Sequence, residues 1–280
     1  MKVIAANAHR YPVSAQCEIL GVARATYYYM VSRQDRPREK DPLEEEIVSI
    51  FEENHGRYGA RRIKAVLERR GETASRRRIG NILKANGLCC VRKNKRAPRA
   101  RAKASRSDAP NIVSQVFSGY RPHTHICSDL TYVRVGGRWC YVCLLIDLYN
   151  REIVGHAAAD RKDARLVKSA FATLGFPISD IDVFHTDRGS EFDNAQIDEM
   201  LEVFSIRRSL SKKGCPYDNA VDESTNKTLK EEFVYQESFT SLYDLQVKLN
   251  DYVHWYNSTR LHSTLGYMSP VEFRKAGLSL

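Results

Sequence analysis

The chain has 280 residues, 42% of them hydrophobic, enough to bury the core of one large domain with a smaller one, or of two medium ones. No stretch approaches the roughly 18 consecutive apolar residues of a membrane span, and Met1 to His9 has neither the apolar core nor the cleavage pattern of an export signal, so a folded cytosolic protein is expected. The net charge of +10 is concentrated: residues 1–110 carry 25 Lys or Arg against 12 Asp or Glu, a balance of +13, whereas residues 111–280 carry 19 against 22, a balance of −3. The front of the chain therefore suits a polyanion.

From Tyr11 to Arg33 the pattern reads as two short helices, with Cys17 and Leu20 facing inward, a turn at Gly21, and a second helix over Ala23 to Tyr29. That is the rhythm of a helix-turn-helix, assigned to residues 1–34. After the charged spacer Asp35 to Pro42, apolar residues recur at helical spacing in three groups: Ile47, Val48 and Phe51, then Ile63, Val66 and Leu67, then Ile79, Ile82 and Leu83. Gly56 and Gly59 separate the first two predicted helices, and Gly71 precedes Ser75, the expected N-cap of the third. This helical domain, residues 43–90, is expected to bind DNA. Its contacts are assigned to Arg57, Arg61, Arg62, Lys64, Arg76, Arg77 and Arg78, because a basic run at a helix start adds its charge to the free amides there.

A basic linker is assigned to residues 91–120. Val91 to Arg106 holds eight basic residues and no acidic one, and Arg92, Lys93, Lys95 and Arg96 join the expected phosphate contacts. Beyond it the pattern changes. Ile126 to Val135, Trp139 to Leu148 and Ile153 to Ala157 read as an antiparallel meander, broken at Gly136-Gly137 and at Tyr149-Asn150. There follow a helix over Asp163 to Leu174, a strand over Asp182 to Thr186, a helix over Ala195 to Val203, a strand over Phe204 to Arg208, and helices over Asp218 to Phe233 and Tyr243 to Tyr256. This order gives an α/β domain over residues 121–280, a mixed sheet with flanking helices. The seven cysteines are scattered. Cys140 and Cys143 form a CxxC pattern inside an apolar strand and are expected to be buried free thiols.

Three acids carry the chemistry. Asp129 lies inside the first strand, where an unpartnered charge is costly; Asp187 follows the strand ending at Thr186; Glu223 stands near the start of a helix. Intervals of 57 and 35 residues separate them, yet two sheet positions and one helix position can converge. Acids so grouped suit phosphodiester chemistry with two Mg²⁺ ions about 4 Å apart, Mn²⁺ substituting, because hard ions take oxygen ligands. Asp147, Asp193, Asp218 and Asp222 compete for the same role. Asp218 and Asn219 are instead expected to cap the helix of Glu223, Lys227 and Lys230 on that helix to meet phosphates, and His185 to orient substrate or pack behind the acids.

The segments Asp129-Leu-Thr-Tyr-Val133, Arg151-Glu-Ile-Val-Gly155, His185-Thr-Asp-Arg-Gly-Ser-Glu-Phe192 and Ser209 to Ser224 resemble the integrase-like (DDE) transposases of bacterial insertion sequences, specifically their second-reading-frame product. His55-Gly-Arg-Tyr-Gly59 and the tail Trp255 to Pro270 resemble that family too. The resemblance implies a ribonuclease H-like integrase core with a five-stranded sheet. It also implies Asp129, Asp187 and Glu223 as catalytic metal ligands, and DNA cleavage followed by strand transfer from a 3′-hydroxyl. The implied partners are double-stranded DNA, at the element ends and the target, a second copy of the chain on DNA, and a first-frame product or frameshifted fusion. Alternatives are an endonuclease without strand transfer and a catalytically silent DNA-binding protein. Two departures from the family pattern stand out, Cys127 where members commonly have Trp and Ser224-Thr225-Asn226 where they often have an aromatic pair; neither is expected to touch a ligand.

Overall fold

Strands β1 (His125–Val135), β2 (Arg138–Asp147) and β3 (Ile153–Ala159) form the expected meander, turning first through Gly136 and Gly137, both at positive φ, as a tight hairpin requires. A computed structural model describes residues 2–34, 40–91, 109–212 and 215–280. The chain divides into two compact units, residues 1–48 and 49–280.

In the larger unit β4 (Val183–Thr186) and β5 (Arg207–Leu210) run parallel to β1, giving a five-stranded mixed sheet in the order β3-β2-β1-β4-β5. Residues Val142 to Asp147 of β2 are all buried, as a strand covered on both faces demands. Helices α7 (Ala164–Phe171) and α8 (Ala195–Val203) cover one face, with Phe171, Phe184, Phe192 and Ile197 packed on Ile126 and Leu145. Side chains alternate along a strand, so Cys127 and Asp129 point to the other face, where α9 (Ala220–Leu229) packs on β1 and α10 (Leu242–Ser258) on β3. At Gly155 a Cβ would stand 2.6 Å from the Ala170 carbonyl oxygen and 2.8 Å from Leu145 Cδ1; glycine lets β3 and α7 approach this closely. This is the ribonuclease H-like architecture.

Ahead of the sheet, α4 (Glu44–Glu53), α5 (Ala60–Arg69) and α6 (Arg76–Ala85) match the three predicted helices, and the Ser75 side chain accepts from the Arg78 amide as the expected N-cap. Ile63, Leu67, Ile79, Ile82 and Leu83 are buried. The smaller unit holds α1 (Lys2–Asn7), α2 (Val13–Ile19) and α3 (Arg24–Gln34), with Ile4, Cys17 and Tyr27 buried together.

Several elements differ from expectation. Helix α1 was not foreseen, and Leu20, placed on the inner face, is exposed because it ends α2 as its C-cap. The last strand is Arg207–Leu210, not Phe204 to Arg208: Phe204 closes α8, and Ser205 turns the chain at φ 56°. The helix of Glu223 begins at Ala220 after a 3-10 turn and continues through a π-helical turn, Lys230–Val234. Most of the basic linker lies outside the described residues. Cys140 and Cys143 are buried free thiols, and no helix among the described residues is long and apolar enough to cross a membrane.

Candidate active site

The parallel register pairs Ser128 of β1 with Thr186 of β4, and there the ladder ends. The next residue on each strand is an aspartate, so Asp129 and Asp187 stand side by side where the strands part. Each is held by local bonds: Asp129 Oδ1 accepts from the Leu130 amide at 2.8 Å, and Asp187 Oδ1 accepts from the Gly189 amide at 2.8 Å. Burial and then the charge of Asp187 push the Asp129 carboxyl up to about 6.

Asn226 of α9 donates from Nδ2 to Asp129 Oδ2 at 2.9 Å, while its own Oδ1 is buried without a partner among the described residues. One turn earlier Asp222 is buried beside Cys127, and burial, then the charge of Asp129, raise its carboxyl far above the ordinary range. The two departures from the family pattern thus sit at the site itself: Cys127 meets Asp222, and Asn226 holds Asp129. The expectation that neither touches a ligand position is corrected by that second bond. Glu223 is exposed, three residues before the buried Asn226 on α9.

Two groups at the site carried no signal in the sequence. Lys162, in the loop between β3 and α7, pairs with Glu191 at 2.8 Å, and Glu191 is 3% exposed. Glu191, Asp187 and Asp129 together raise the Lys162 ammonium against its partial burial, which places a cation among these carboxylates. Gly189 makes room for Glu191, since a Cβ there would overlap its carboxylate. Burial lowers the Lys230 pKa, with the charge of Asp129 opposing it, and its Nζ lies 4.8 Å from the centre of the Tyr132 ring. These contacts join loops and a helix end that are far apart in sequence, and they appear only once the sheet is assembled.

The competing acids have other partners. Asp147 accepts from the amides of His123 and Tyr149 at a turn, and burial lifts its carboxyl to about 6. Asp193 pairs with Arg208 at 3.6 Å. Asp218 accepts from the Lys212 amide and Gln115 Nε2, and Asn219 Oδ1 meets His185 Nε2, so the cap expected from these residues does not form. His185 is fully buried, bonded through Nδ1 to Ser209, and burial lowers its pKa, which makes it a packed residue that ties β4 to β5 and to the start of α9.

The expected pair of Mg²⁺ ions, with Mn²⁺ as substitute, is overturned by this geometry. Among the described residues no group of three or more His, Cys, Asp or Glu side chains is placed to hold a metal ion. The physical reason is visible in the bonds: both Asp129 oxygens accept from amides, Asp187 Oδ1 faces Gly189, and α9 turns Asp222 inward while Glu223 faces solvent.

The basic residues assigned to DNA fall into three groups. Arg57 stacks 4.5 Å from the Trp255 ring centre and donates to the Glu232 carbonyl, and Arg62 donates to the Leu261 carbonyl and pairs with Glu232 at 3.1 Å. With Tyr58, which donates to the Thr259 carbonyl, they fasten the helical domain to the C-terminal segment. Lys64 pairs with Glu68. Arg61, Arg76, Arg77 and Lys227 are exposed, and Arg78 supplies the capped amide of α6. Arg92, Lys93, Lys95 and Arg96 lie outside the described residues.

The Integrase core domain family matches residues 119–216 and again 205–270, and the HTH-like domain family matches residues 38–96. The transposase for insertion sequence element IS904 of Lactococcus lactis is 32% identical over 241 residues, covering 85% of this chain and 95% of that protein. The putative transposase InsK for insertion sequence element IS150 of Escherichia coli is 29% identical over 278 residues, covering 98% and 97%. Among solved structures, the catalytic core domain of HTLV-2 integrase is 16% identical at a TM-score of 0.44, over 55% of this chain and 98% of that one. With that relative in Lactococcus matched along nearly its whole length, the chain belongs to the insertion-sequence transposases that carry an integrase catalytic core.

Proposed function

We propose that this transposase cuts DNA at the ends of an insertion sequence and joins the freed 3′-hydroxyl to a second phosphodiester, with Asp129, Asp187 and Glu223 as its reacting acids. The observation that carries this reading is the strand register that sets Asp129 beside Asp187 at the open end of the sheet. Exchange at phosphorus requires the attacking oxygen to lose a proton and the leaving oxygen to gain one, while charge on the phosphoryl oxygens is balanced. A carboxyl pushed up to about 6 is ionised at neutral pH yet accepts a proton readily, which suits Asp129 to take it from the attacking water or hydroxyl. Lys162 and Lys230 bring positive charge to the same place, and Lys227 extends it along α9 toward the rest of the duplex. Glu223, exposed one turn before Asn226 on α9, is the third acid of this proposal.

In this reading duplex DNA is held through Arg61, Arg76 and Arg77, two copies of the chain bring two element ends together, and a first-frame product or fusion supplies recognition of the ends. An endonuclease that never joins is the rival that experiment must separate. The test uses duplexes carrying the element's end sequence, terminated either by a 3′-hydroxyl or by a dideoxynucleotide, with a labelled target. Joined product from the first substrate alone supports the proposal; nicked target without joined product from either would refute it.

A further inference from the structure

A second concave site lies away from the acids, between the helical domain and the C-terminal segment. It encloses about 710 Å³ and is lined by Arg61, Arg62, Arg76 and Arg77 on one side and by Ser263 and Tyr267 on the other. Two helices start there. Helix α5 begins at Ala60 behind Gly59, which offers no side-chain cap, so amides of its first turn remain for water or a ligand. Helix α6 begins at Arg76, and only its third amide, that of Arg78, is taken by Ser75. Positive helix ends and guanidinium groups therefore share one cleft.

Among the described residues no acid lines the cleft, and Arg61, Arg76 and Arg77 form no ion pair. Arg62 is the exception, committed to Glu232 and to the Leu261 carbonyl, and it serves as the wall that joins the two halves. The far side is fixed as firmly. Arg69 donates to the Tyr267 carbonyl at 2.7 Å and pairs with Glu272, the His262–Met268 bridge closes the loop, and Gly266 and Tyr267 turn it at positive φ. The loop thus presents the Ser263 and Tyr267 side chains as part of a rigid wall.

We propose that this cleft is a phosphate clamp on duplex DNA, built jointly by α5, α6 and the loop of residues 262–268, which seats successive backbone phosphates and sets the orientation of the duplex relative to the sheet. It rests on the DNA reading above. The opening is too large for one phosphate, and two helix starts with three guanidinium groups match a run of phosphodiesters. The loop contributes hydroxyl groups and, through Arg62 and Arg69, holds the helices at a fixed distance from it.

The test titrates the full chain onto a duplex carrying the element's end sequence, at several salt concentrations, with folding verified by circular dichroism. Arg76→Ala with Arg77→Ala is expected to lower the slope of log K against log salt by about 2, and Ser263→Asp, which places a negative charge in the cleft without removing an arginine, to weaken binding about tenfold. Arg165→Ala with Lys168→Ala, on α7 at the opposite face, is expected to leave the slope unchanged. If wild type binds DNA and the cleft variants keep its slope and affinity, or if the α7 pair lowers the slope equally, the clamp is overturned while the DNA reading stands. If wild type does not bind DNA, both fail.

Discussion

Replacing Asp129 by Asn should stabilise the protein at neutral pH while abolishing its chemistry. The carboxyl of Asp129 titrates near 6 in the fold against an ordinary 3.8, because burial and Asp187 oppose its charge. Below 3.8 it is protonated in both folded and unfolded chains and costs nothing. Between 3.8 and 6 the folded protein keeps a proton that the unfolded chain has released, so stability falls as pH rises through this window, and the full cost stands above about 6. A shift of that size corresponds to about 3 kcal/mol, and the partial exposure of Asp129 reduces it toward about 2. Asn keeps the shape and can still accept from the Leu130 amide, while Asn226 can turn its amide over to accept from the new one. Urea denaturation is the assay. The variant should exceed wild type by about 2 to 3 kcal/mol at pH 7.5 and by about 1 kcal/mol at pH 4.5. Equal stability at both pH values, or a variant less stable at pH 7.5, would refute the argument that Asp129 is a strained charge kept for function.

Other perturbations probe the frame around the site. Glu232 bonds Arg260 through both oxygens at 2.7 and 2.9 Å and also meets Arg62, all largely buried, so Glu232→Ala leaves Arg260 uncompensated and should cost about 3 to 5 kcal/mol in urea denaturation. It should also speed limited proteolysis within residues 49–90, because the carboxylate ties that segment to the C-terminal one; proteolysis unchanged from wild type would count against this tie. Gly155→Ala drives a methyl into the Ala170 carbonyl and should cost roughly 1 to 3 kcal/mol, and undiminished stability would contradict the close approach of β3 to α7.

The sequence already contained the meander, the flanking helices and the Ser75 cap, because alternation, helical spacing and turn residues are local signals. The acids were readable too, but their neighbourhood was not. Asp129 and Asp187 meet through the register of two strands far apart in sequence, and only that register admits Lys162 and Glu191 to the same place. Asn226 looked like a departure without consequence, yet α9 turns it onto Asp129. The expected metal ligation failed for a related reason: spacing placed Glu223 on the right helix, whereas the rotation of that helix, fixed by burial of Val221, Asp222, Thr225 and Leu229, decides what it faces. Arg57 and Arg62, expected at phosphates, also have partners within the chain that no local pattern announces: a carbonyl, an indole ring and Glu232, supplied by residues about 170 to 200 positions away.

If the two aspartates brought together by β1 and β4 are the reacting centre of this transposase, neutralising one of them stops strand joining without loosening DNA. Single-turnover strand joining by wild type and Asp187→Asn, compared at DNA concentrations where both are saturated, tests it most directly. Equal occupancy of end DNA is expected, since the basic cleft is untouched, with joined product reduced at least a thousandfold, or about 4 kcal/mol of barrier. An Asp187→Asn enzyme that joins strands within about tenfold of wild type would contradict it.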